Sequence, residues 1–142
     1  NQRKWHTLAT HNCTWYAVRL IRQRNQKSRQ GALLMHRLIL NPPKGFEVDH
    51  INRNGLDNRR ENLRICSSSQ NQANKDSIRG MSGYKGVTKN GNGWGAKLYP
   101  KKGQRLWLGT FPTKLEAAKA YDEAALKHYG RFARTNKMLG LL

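Results

Sequence analysis

Val48-Asp49-His50-Ile51-Asn52-Arg53-Asn54-Gly55-Leu56-Asp57-Asn58-Arg59-Arg60-Glu61-Asn62-Leu63-Arg64, with Asn71 beyond its end, is the stretch that decides the reading of the first half of the chain. Phe46 to His50 reads as a short extended segment, 51–60 as a loop dense in Asn, Asp and Gly, and Asn62 to Cys66 as a short strand. Ser67-Ser68-Ser69-Gln70 has the form of a capping box, with Ser67 as N-cap, and opens a helix to about Lys75. Hydrolysis of a phosphodiester needs an activated water, neutralised charge on the phosphoryl group and help for the leaving oxygen. His50 is a candidate general base, because imidazole titrates near neutral pH. Asp49 offers carboxylate oxygens to a divalent cation and Asn71 an amide oxygen, with Asn74 one helical turn on as the alternative ligand. Oxygen donors without a thiolate or a second His favour Mg²⁺ or Mn²⁺ over Zn²⁺. Adjacent residues of a regular strand point to opposite sides, so Asp49 and His50 could not both aim at one atom from such a strand.

Taken in order, this signature resembles the HNH nuclease family, especially its phage and intron-encoded, homing-type members, over roughly residues 32–75. The resemblance implies a ββα-metal module in which the chain turns at Asp49-His50 and a metal lies between the strand pair and the following helix. It gives His50 the role of general base and Asn62 that of orienting the His50 loop through backbone hydrogen bonds. Asp49 and Asn71 become the metal ligands, with waters and DNA phosphate oxygens completing the shell.

Upstream, 14–24 is rich in β-branched and aromatic residues and reads as a strand, 25–31 as a turn and Ala32 to Leu40 as a second strand, which makes an N-terminal β-hairpin. His36, in that second strand, is expected to be structural or DNA-facing. His6, His11 and His128 are expected at the surface. Cys13 and Cys66 lack a C-x-x-C spacing, which argues against a zinc site or a disulfide framework and for core or half-buried thiols in a reducing setting.

Residues 76–83 (DSIRGMSG) read as a linker between a first module at 1–75 and a second at 84–142. Beyond it, Tyr84 to Lys89, Trp94 to Tyr99 and Arg105 to Phe111 read as three strands joined by the turn residues Asn90-Gly91-Asn92-Gly93 and Pro100-Lys101-Lys102-Gly103. Thr113-Lys114-Leu115-Glu116 is a second capping box, opening a helix to about His128 with Leu115, Ala118, Tyr121 and Ala125 along one face; Gly130 stops it. Gly83-Tyr84-Lys85-Gly86-Val87, Trp94-Gly95-Ala96-Lys97-Leu98, Arg105-Leu106-Trp107-Leu108-Gly109-Thr110-Phe111 and Glu116-Ala117-Ala118-Lys119-Ala120-Tyr121-Asp122 resemble the apetala-two DNA-binding domain of plant ethylene-response factors. That resemblance implies a three-stranded antiparallel sheet laid in the major groove with one helix behind it, and it places Lys85 on the reading surface and Trp94 in the core. Alternation puts Lys97 and Tyr99, and likewise Arg105 and Trp107, on the face opposite the apolar residues, where they can reach base edges. Lys97 stands where that family has Glu, Tyr99 and Thr88 where it has Arg, so a different and more loosely read target is expected.

The charge agrees. The chain of 142 residues carries 27 Lys and Arg against 8 Asp and Glu, a net +19, with 15 basic and 5 acidic residues up to Gly80 and 12 and 3 beyond it. Two basic halves, rather than a basic tail, suit a polyanion along the whole chain. No run of apolar residues is long enough to span a membrane, and no leader pattern opens the chain. The chain opens on Asn, so sequence upstream is expected. The expectation is an α+β protein of two modules, a metal-dependent endonuclease that cuts double-stranded DNA at a site chosen by its second module. An intracellular setting in a bacterial host is expected, with no membrane and no protein partner evident. The rivals are a sequence-specific DNA-binding protein with a relic nuclease module, and an RNA-binding protein; A-form RNA has a major groove too narrow for a sheet.

Overall fold

The computed structural model describes residues 4–9, 14–22, 30–76, 81–101 and 103–142. The expectations for His11, Cys13, Lys102 and residues 77–80 of the 76–83 linker lie outside them. The chain is α+β, with short antiparallel sheets and few helices, and its contacts divide it into two units, Asn1–Ser67 and Ser68–Leu142.

The first unit begins with three antiparallel strands, β1 (His6–Ala9), β2 (Trp15–Arg22) and β3 (Gln30–Leu34), in that order across the sheet. Along β2 Val18 is buried, whereas Trp15 and Leu20 are exposed. The expected second strand, 32–40, is strand only to Leu34 and helix beyond it, because α1 (Met35–Leu40) follows β3 directly. Met, Leu and Arg are good helix formers, and in the run Leu33–Leu40 the apolar residues on either side of His36 and Arg37 carry no period that separates strand from helix. Asn41 ends the helix in the left-handed conformation, φ 42°, its amide bonding to Arg37 O at 2.8 Å. β4 (Glu47–His50) and β5 (Leu63–Cys66) then form an antiparallel pair in which Asp49 faces Arg64 and His50 faces Leu63.

The interior of this unit is as polar as it is apolar. Val18, Val48, Leu63 and Cys66 are buried, but so are His36, Asp49, His50, Asn62 and Arg64. Apolar residues of similar volume would stabilise such an interior at least as well.

The second unit starts with α2 (Ser68–Ala73), which packs on β7, α3 and the 3-10 turn that follows α3. The sequence suggested a break at 76–83, but these contacts group α2 with what comes after it. β6 (Val87–Asn90), β7 (Gly93–Lys101) and β8 (Gln104–Phe111) form an antiparallel sheet in chain order, backed by α3 (Lys114–Tyr129). Thr113 caps α3, its hydroxyl accepting from Glu116 N at 3.2 Å. Ala117, Ala118 and Ala125 let the helix approach Val87, Ala96 and Leu98, all of them buried. Leu115, expected on that face, is 43% exposed, and Ala117 and Asp122 are buried in its place. Trp94 is only half-buried, with the Lys89 ammonium 4.8 Å from its ring centroid. Asn136 is fully buried and ties the layers together: its Oδ1 accepts from Lys85 N at 2.7 Å, and its Nδ2 donates to Asp122 Oδ1 at 2.9 Å.

Candidate active site and nucleic-acid interface

β4 ends at His50 and the chain turns at once: Ile51 N bonds to Asn62 O at 2.9 Å and Arg53 N to His50 O at 2.9 Å, with Arg53 left-handed at φ 66°. Asn62, 7% exposed, shapes the loop that follows. Its Oδ1 accepts from Asn52 N at 3.0 Å, and its Nδ2 donates to Asn52 Oδ1 at 2.9 Å and Asp57 O at 2.8 Å. Asp57 in turn accepts from Asn52 Nδ2 at 2.8 Å and from Arg59 Nε at 2.8 Å, and these bonds, led by that from Arg59, hold its carboxyl well below the usual range. Gly55 lies where a Cβ would strike Trp15 O and the Tyr16 ring, so only glycine lets the loop pass so close to β2.

His50 is 5% exposed. Asn58 Nδ2 donates to Leu56 O at 3.2 Å, so the amide presents Oδ1 to His50 Nε2, 3.2 Å away. An acceptor there assigns the ring proton to Nε2 and leaves the Nδ1 lone pair as the basic atom. Burial pushes the imidazole pKa below 6.5, against the opposing pull of Asn58, Asp49 and Asp57. The ring is therefore neutral, and able to accept a proton, at pH 7.

Asp49 is 5% exposed, and its Oδ2 accepts from Arg64 Nε at 2.8 Å and Nη2 at 2.7 Å. A buried carboxylate and an amide oxygen are hard donors, and in donor type they fit Mg²⁺ or Mn²⁺. Among the described residues no group of three or more His, Cys, Asp or Glu is placed to hold a metal ion. Asn71 stands half-buried on α2, with Asn74 buried just beyond it, both in the second unit.

Two further residues lie next to His50: His36, expected to be structural or DNA-facing, and Tyr16, which the sequence reading did not single out. The His36 ring meets that of His50 edge-on, with centroids 4.9 Å apart and planes at 79°. Tyr16 tilts against both, at 5.3 and 5.8 Å. Neither had a spacing signal, since β2, α1 and β4 bring them together only in the fold. Burial, followed by His50 and Arg37, pushes the His36 pKa down to about 4. A histidine held below its unfolded pKa of 6.5 takes up its proton later than the unfolded chain does. Its contribution to stability is thus complete above pH 6.5 and lost as pH falls to about 4. The expected loss for the first unit is about 3 kcal/mol across that window, read from amide exchange in β4 and β5. His36→Phe should flatten the dependence, and a wild-type profile already flat would exclude a buried neutral His36. Cys66 is buried, its thiol pushed up to about 12, and is inert rather than nucleophilic.

In the second unit, Lys97 pairs across the sheet with Trp107, and Leu98 with Leu106, just beyond a register shift between Ala96 and Lys97. The face bearing Lys97 and Trp107 is open: Trp107 is 41% and Tyr99 51% exposed, Arg105 is exposed and Lys97 half-buried. The Trp107 indole lies over Gly95, in the space a Cβ would fill, and the Arg105 guanidinium stands 6.0 Å from its ring centroid. Lys85 is a correction. Expected on this surface, it is 5% exposed, and its ammonium donates to Ala73 O at 2.6 Å, Lys75 O at 2.7 Å and Arg134 O at 3.0 Å. The end of α2 leaves carbonyls without helical partners, and Lys85 satisfies them from inside the unit.

Residues 41–73 match the model of an HNH endonuclease family (HNH_3). A further similarity is to plant proteins. The chain is 55% identical over 56 residues to an AP2/ERF and B3 domain-containing protein of Oryza sativa subsp. japonica, covering 39% of this chain and 15% of that protein. It is 56% identical over 55 residues to the dehydration-responsive element-binding protein 2A of Oryza sativa subsp. indica (37% of this chain, 20% of that protein). To the protein of that name in Arabidopsis thaliana it is 61% identical over 44 residues, 30% of this chain and 13% of the relative. The chain thus spans a fifth or less of these three relatives' length. It is similar to an HNH endonuclease domain over 41–73 and, separately, to proteins of the AP2/ERF group.

Proposed function

We propose that the chain is a metal-dependent DNA endonuclease of the homing type, brought to its site on double-stranded DNA by the exposed sheet of the second unit. The observation that carries the reading is the state of His50, a buried imidazole whose Nε2 faces the Asn58 amide oxygen and whose pKa burial lowers, so that it is neutral at pH 7. The HNH match over 41–73 supports the same reading. In this scheme His50 Nδ1 takes a proton from the attacking water, Asn62 and Asn58 hold loop and ring, and Asp49 and Asn71 are the ligands of a divalent cation. The cation, when bound, supplies charge neutralisation and assistance to the leaving oxygen. Lys97, Tyr99, Arg105 and Trp107 are the DNA-contacting residues of the sheet. The predicted setting is the inside of a bacterial host of a phage or intron-borne gene.

The second reading is a DNA-binding protein without cleavage. The similarity to AP2/ERF proteins and the pairing of Asp49 with Arg64 favour it. Supercoiled plasmid separates the two. The nuclease should relax or linearise it with Mg²⁺ or Mn²⁺ and lose that activity in excess EDTA, whereas binding without any cut under either metal would establish the second reading.

A further inference from the structure

Within the second unit, α2 and the edge of the sheet enclose a groove of about 570 Å³. Ser69 and Gln72 of α2, Thr88, Lys97 and Tyr99 of the sheet and the buried Tyr121 line it. Gln72 and Tyr99 are exposed at the rim. Lys97 and Tyr99 also belong to the sheet assigned above to DNA contact, so the groove continues that surface rather than forming a separate one. α2 is no loose flank here: the Lys85 ammonium and Arg134 N, which bonds to Ala73 O at 3.1 Å, fasten its C-terminal carbonyls to the unit. The groove therefore presents an amide, hydroxyls and an ammonium at fixed places beside a base-reading face.

We propose that this groove holds the sugar–phosphate backbone of one DNA strand flanking the bases read by the sheet, with Gln72 and Thr88 as neutral donors and Lys97 as the cation. The inference rests on the reading of the sheet as the DNA face. Its chemistry is that of backbone contact: most protein–DNA hydrogen bonds run to phosphate and sugar from Lys, Ser, Thr, Gln and Tyr, and they fix register without reading sequence. Among the described residues that line the groove there is no acidic side chain to repel a phosphate.

The test uses the full chain in EDTA, a duplex it selects from a random pool and a scrambled duplex of equal composition. Gln72→Ala, an exposed change, should weaken both duplexes alike by about 2–10-fold, the effect of one neutral hydrogen bond. Gln72→Lys should tighten both and steepen the dependence of log K on log salt by about 0.9. Arg105→Ala should weaken the selected duplex most. If Gln72→Ala and Gln72→Lys bind both duplexes as wild type while Arg105→Ala loses selectivity, the groove is not part of the interface and this inference falls alone. A Gln72→Ala loss confined to the selected duplex would overturn the backbone assignment. If no duplex is selected and Arg105→Ala changes nothing, the DNA-reading role of the sheet itself fails.

Discussion

His50→Ala should lower the rate of metal-dependent strand cleavage by roughly 10²–10⁴-fold while affinity for the same duplex stays near wild type. Removal of the imidazole takes away the group proposed to accept the proton of the attacking water. Affinity rests on many phosphate contacts spread over a chain of net charge +19. Because burial lowers the His50 pKa, the acid limb of the pH–rate profile should lie below pH 6.5. Asn58→Leu should move this limb and slow the reaction, since the ring loses the acceptor that fixes its tautomer. Wild-type turnover by His50→Ala across the pH range would remove the imidazole from the mechanism.

Arg64→Met should destabilise the first unit by about 3–5 kcal/mol. Asp49 and Arg64 are both more than nine-tenths buried, so the substitution leaves a carboxylate in the interior without its counter-charge. The double variant Asp49→Asn/Arg64→Met should regain most of that stability and still fail to cut, because the carboxylate assigned to the cation is gone. Amide exchange at Val48–His50 and Leu63–Cys66 reports stability, and plasmid relaxation reports activity. An Arg64→Met protein as protected as wild type would show that the pair contributes nothing to the fold.

What could be read from the residues alone was what depends on local chemistry. The Asn-, Asp- and Gly-rich loop 51–60, the strand-turn-strand pattern around Gly91 and Gly103, and the Thr113 cap all follow from turn and cap preferences within a few residues. The run Leu33–Leu40 did not yield, because the apolar residues on either side of His36 and Arg37 carry no period that separates strand from helix, and the break between β3 and α1 is decided by packing. Lys85 misled for a related reason. Its neighbours in sequence fit a DNA-facing strand, but its ammonium is claimed by carbonyls of residues 73, 75 and 134, which no local pattern reveals. His36 and Tyr16 carry no motif, and only the meeting of β2, α1 and β4 sets their rings against His50.

The fastening of α2 also bears on where such a chain can be cut and rejoined. Residues 76–83 look like a natural seam, and a chimera built there would carry β6 onward into a new protein. It would leave Ala73 and Lys75 without the Lys85 ammonium, and Asp76 without the Arg134 guanidinium 3.1 Å away. A graft that keeps its internal bonds begins at Ser68 and takes with it the last stretch of the 41–73 HNH match. The two sequence signatures thus overlap on one piece of structure, and the unit that can be exchanged is longer than either the linker or the AP2-like strings would suggest.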